Sequence, residues 1–139
     1  MTGVIYDVMS GITAGWNELV IEKPTFLEGV EKFSTPIRER MPHGGGNTVY
    51  VTNVKAEPYF VDPTKTVKDV VYHINVEVVS STGSYRDSMF NEVYRIIEAT
   101  GITGYENRNI ENYIHKNQFS YFTAELNFNI IKYNETVAR

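Results

Sequence analysis

The chain contains no cysteine. That excludes a disulfide framework, a thiolate metal site and a cysteine nucleophile, and it is compatible with a reducing compartment. Positive charge is also short, because 13 Lys and Arg stand against 17 Asp and Glu for a formal net charge of -4. An acidic chain repels phosphate, so recognition of nucleic acid through a basic patch is not expected. No run approaches the roughly 18 consecutive apolar residues that a membrane-spanning helix needs. The first residues lack the basic start and apolar stretch of a signal peptide, and the expectation is a protein that is cytosolic when made, with no membrane partner.

What the chain does hold is a core's worth of apolar residues. It is 139 residues long, 42% hydrophobic and 13% aromatic. A chain of that length fits one domain that buries about two thirds of its surface, whereas two domains would each be too small. Residues 1–139 are therefore read as a single α+β domain.

Between Thr2 and Trp16, the residues Val4, Ile5, Val8, Met9, Ile12 and Trp16 recur at helical spacing, with Asp7 and Ser10 opposite. This predicts an amphipathic N-terminal helix. Gly3, Gly11 and Gly15 weaken it by about 1 kcal/mol each relative to alanine, a cost that close packing on a neighbour explains. From Asn17 to Asn47 the pattern breaks up, interrupted by Pro24, Pro36 and Pro42 and closed by Gly44, Gly45 and Gly46. A short helix over Thr25–Phe33 is expected, with Phe26, Val30 and Phe33 on one face. The remainder reads as an irregular arm, and a connection of that length in a compact domain tends to be functional or mobile.

From Thr48 onward the period becomes two. Val49, Val51 and Asn53 alternate with Tyr50, Thr52, Val54 and Ala56, and Tyr72, Ile74, Val76 and Val78 alternate with Val71, His73, Asn75 and Glu77. Both runs are strands. The residues between them, Val61-Asp62-Pro63-Thr64-Lys65-Thr66, carry turn chemistry, which predicts a long hairpin with an exposed tip. Pro58 places the first strand at an edge or a bend. A helix follows Gly83, with Ser84 as its expected cap. Its inner face is expected to hold Tyr85, Met89, Phe90, Val93, Tyr94, Ile96 and Ile97, and its outer face Asp87, Ser88, Asn91, Glu92, Arg95 and Glu98. Gly101 stops it. A short strand is expected around Glu111–His115. The longest alternation lies between Phe119 and Tyr133, with Phe122, Ala124, Leu126, Phe128 and Ile130 facing one way and Thr123, Glu125, Asn127 and Asn129 the other. The expected fold is a mixed or antiparallel sheet with a long β-hairpin, packed by an N-terminal helix and a central amphipathic helix.

Chemistry-bearing patterns are few. The run His43-Gly44-Gly45-Gly46-Asn47-Thr48 lacks the lysine, hydroxyl residue and following helix of a phosphate loop, so it reads as a flexible loop. His43, His73 and His115 sit on a loop and two strands with no metal-ligand spacing. No serine occupies a nucleophile elbow. Glu77 and Glu125 could be sheet neighbours, but solvated strand carboxylates are far commoner than a catalytic pair. The face bearing His73, Asn75, Glu77, Glu125, Asn127 and Asn129 could instead line a polar channel or meet another subunit. No catalytic residue, cofactor or metal is expected. The 10 tyrosines, among them Tyr105, Tyr113, Tyr121 and Tyr133, divide between core packing and association surfaces.

The order of helix, irregular arm, long hairpin, helix on the sheet, polar connection and final long strand resembles the tail-terminator (tail completion) proteins of tailed bacteriophages. The resemblance is carried by Thr48–Arg139. There Val71-Tyr72-His73-Ile74-Asn75-Val76-Glu77-Val78-Val79-Ser80 leads into the Ser84–Ala99 helix and then into Phe119-Ser120-Tyr121-Phe122-Thr123-Ala124-Glu125-Leu126-Asn127-Phe128. It is a match of element order and patterning, without an invariant motif. It implies a structural virion protein that forms a hexameric ring at the head-proximal end of the tail tube, ends tube growth and joins tail to head. The implied partners are further copies of the chain, the tail tube protein and a head-tail connector or neck protein, with DNA passing through the lumen unbound. The implied location is the virion's tail or neck, after assembly in the host cytoplasm. The expected contacts are Asp62, Pro63, Thr64 and Lys65 at the hairpin tip and Phe33, Arg38 and Arg40 in the arm. Two other readings stand beside it: an adaptor or stopper ring of the neck, and an α+β domain with a ligand pocket or an enzymatic site between helix and sheet.

Overall fold

A computed structural model describes residues 3–29, 47–64, 66–117 and 122–136, with the backbone alone for 107–117 and 136. The described elements run α1 (Val4–Gly15), β1 (Thr25–Glu28), β2 (Thr48–Phe60), β3 (Val67–Ser80), α2 (Gly83–Ala99), β4 (Glu106–Asn117) and β5 (Phe122–Thr136). The strands form one sheet in the order β1-β2-β3-β5-β4. β1 is parallel to β2, and the other neighbouring pairs are antiparallel. The sheet is mixed and the class is α+β. Because β5 lies antiparallel between β3 and β4, those two run parallel, and α2 is the crossover that parallel strands require.

Alternation decides which side of the sheet the helices occupy. Val49 and Val51 pair with Val78 and Val76, which pair in turn with Ala124 and Leu126. These residues and Ile74, Phe128 and Ile130 form a single buried cluster with Val8, Ile12 and Trp16 of the first helix and its end, and Met89, Phe90, Val93, Ile96 and Ile97 of α2. One strand face and two helical faces thus share one core, as the period-two and period-3.6 patterns require. The close approach expected at the glycines of α1 is present: a Cβ on Gly15 would lie 3.1 Å from Ile96, and one on Gly11 would lie 3.0 Å from Ile102.

Several expectations need correction. Thr25–Glu28 is a strand, not the start of a helix. Its backbone groups are satisfied by the parallel ladder from Thr25↔Thr48 to Glu28↔Val51. Gly29 then donates its N–H to the Val51 carbonyl at 2.8 Å, and its own carbonyl accepts from Thr52 Oγ1 at 2.7 Å. The remainder of the expected helix, like the arm residues Phe33, Arg38 and Arg40 and the glycine run 44–46, lies outside the described residues. The cap of α2 is Thr82, whose hydroxyl accepts from the Tyr85 N–H, and not Ser84, which stands inside the helix. Tyr85 is exposed, not on the inner face. β4 is longer than the expected Glu111–His115, because β5 offers a partner edge along Glu106–Asn117. Asp7 accepts from the Tyr105 hydroxyl at 2.6 Å, so it does not sit opposite the packed face.

Candidate functional site

β1 covers only the start of β2. From Thr52 to Phe60 the outer edge of β2 has no strand beside it among the described residues, because the β1 register ends at Val51. Over the same stretch the helix layer ends. Val54, Tyr59, Phe60 and Val61 are 47–54% exposed, and β2 goes from buried at Val51 to exposed at its tip. A projecting hairpin with large apolar side chains half in solvent is a surface built for contact. A register shift between Asn53 and Lys55, the charge of Lys55 and the missing N–H of Pro58 limit indiscriminate pairing along this edge.

The tip is ordered by one carboxylate. Asp62 Oδ1 accepts from the Thr66 and Val67 N–H groups, each at 3.0 Å, and Oδ2 accepts from the Thr66 hydroxyl at 2.6 Å and from the Thr64 hydroxyl. Val61 N–H closes the turn on the Val67 carbonyl at 3.1 Å. The Thr64 hydroxyl first, then the Thr66 hydroxyl and the backbone donors, hold the Asp62 carboxyl far below the usual carboxylate range. Asp62, Pro63 and Thr64 therefore stand where the sequence placed them, at an exposed turn. Lys65 is outside the described residues. Farther down the hairpin His73 contacts Glu57 through Nε2, and that contact, with Lys55 beside it, lowers the Glu57 pKa.

A second feature joins the helices. Glu92 is 3% exposed although its residue type and helix position read as solvent-facing. It accepts from Arg95 Nε at 2.9 Å, from Arg95 Nη2 at 2.6 Å and from the Asn17 N–H at 2.6 Å. Arg95 Nη2 also donates to the Gly15 carbonyl at 2.8 Å, so one ion pair satisfies orphan backbone groups at the end of α1. The Arg95 hydrogen bonds are the main reason that the Glu92 pKa is lowered. Beside this clasp is an open groove of about 680 Å³ lined by Gly15, Trp16, Val20, Ser88, Asn91 and Arg95 among others. Leu19, on the adjoining turn, is 97% exposed.

No protein-family model and no curated protein matches the chain.

The paired-carboxylate reading changes in this light. Glu77 and Glu125 are direct cross-strand partners, as the alternation allowed, but they are 3% and 7% exposed and not solvated. Both have partners, so the like-charge contact does not stand alone. Asn75 Nδ2 donates to Asn127 Oδ1 at 2.8 Å and to Glu125 Oε1 at 3.4 Å. The central part of this face is closed to a lumen or a substrate within a single chain. Among the described residues no group of three His, Asp or Glu could hold a metal ion. The sequence reading missed Tyr59, Phe60 and Val61, whose signal was a period-two run continuing beyond the reach of the helices. It also missed the Glu92–Arg95 clasp, which no local pattern announces.

Proposed function

We propose that this protein is a structural assembly subunit of the tail-terminator type, forming a ring at the head-proximal end of a tailed bacteriophage's tail tube and joining tail to head. The observation that carries the reading is the distal hairpin. It presents Tyr59, Phe60 and Val61, each about half exposed, on a turn fixed by Asp62. A monomer gains nothing from holding such groups rigidly in water, whereas a subunit interface buries the aromatic side chains. β1 and β4 lie at opposite ends of the sheet order, so the two edges are unlike surfaces. Contacts between unlike surfaces are heterologous, and they close into a ring when the rotation per subunit allows it. The role is mechanical and requires no cofactor.

The net charge of -4 also suits a lumen through which DNA passes without adhering, because each phosphate contact would add affinity. The test is the mass of the full chain in solution by light scattering, alone and with tube protein. A closed oligomer, or a monomer that assembles into one on tube ends, is the expected result. A chain that stays monomeric and ignores tube ends overturns the reading. Capture of portal-side proteins in place of tube protein would move the ring to the neck.

A further inference from the structure

We draw no further inference here: the strongest candidate, the buried side-chain cluster of Asn75, Glu77 and Glu125 on the sheet face opposite the helices, carries nothing because nothing among the described residues shows what covers it.

Discussion

The two ends of the β2–β3 hairpin differ in what their side chains meet. Near its base, Val49, Val51, Val76 and Val78 are closed off by both helices, and Glu77 on the opposite face is buried as well. Near its tip, Tyr59, Phe60 and Val61 keep about half of their surface in solvent, and a single aspartate orders the turn. The same two strands therefore do two kinds of work. The base is held by hydrophobic burial inside the chain, and the tip holds a shape whose apolar groups find no cover there. Stability and assembly should separate along this line, and substitutions can test the separation.

The largest effect belongs to the core into which the base is packed. Phe128→Ala, in β5 opposite Ile74 of β3, empties a site that is 1% exposed and should cost about 3–5 kcal/mol in denaturant unfolding of the isolated chain. A cost below ~1 kcal/mol would mean that the base is not the core described here. Next comes the clasp. Glu92→Ala leaves the Asn17 N–H and the Arg95 guanidinium without their acceptor, and should cost about 1–3 kcal/mol.

The pH dependence of that term has a defined sign. Folding lowers the Glu92 pKa below its ordinary value of 4.5, so its stabilisation is fully present above that value and is lost as pH falls through the lower folded pKa. The gap in melting temperature between parent and Glu92→Gln should be largest near neutrality and close in acid; a gap that widens in acid contradicts the assignment. A smaller effect is expected at Gly29, where a Cβ would lie 2.2 Å from Thr52 Oγ1. Gly29→Ala should turn that hydroxyl away from the Gly29 carbonyl and cost about 1 kcal/mol, the worth of one hydrogen bond. The smallest stability effect is at the tip, where Phe60→Ser should change unfolding by no more than about 0.5 kcal/mol. The same variant should lose association, which sedimentation velocity reads directly.

Legibility in the sequence followed the range of the forces. β2, β3, β5 and α2 were readable because each buries one face, and its period records that burial residue by residue. Only their ends moved: Thr82 caps α2 because its backbone is extended and its hydroxyl reaches the Tyr85 N–H, a choice between hydroxyl residues two positions apart that local pattern does not make. β1 was not readable. Its four residues have no period of their own, and their conformation is imposed by an edge of β2 that begins 20 residues after the end of β1, at Thr48. Glu92 was misplaced for a similar reason, since its partner N–H at Asn17 is 75 residues away in the chain. At the candidate site, Asp62 and Pro63 announced the turn through their own chemistry. The exposure of Tyr59 to Val61 depends on where the helix layer stops, and that is a property of tertiary packing.

The most direct test of the central claim is the solution mass of the full chain beside that of its Phe60→Ser/Val61→Ser double variant, each with its unfolding free energy. A closed oligomer for the parent, and a monomer of equal stability for the variant, is the predicted result. A parent that is monomeric at all concentrations and with tube ends present, or a variant that assembles as the parent does, would contradict it.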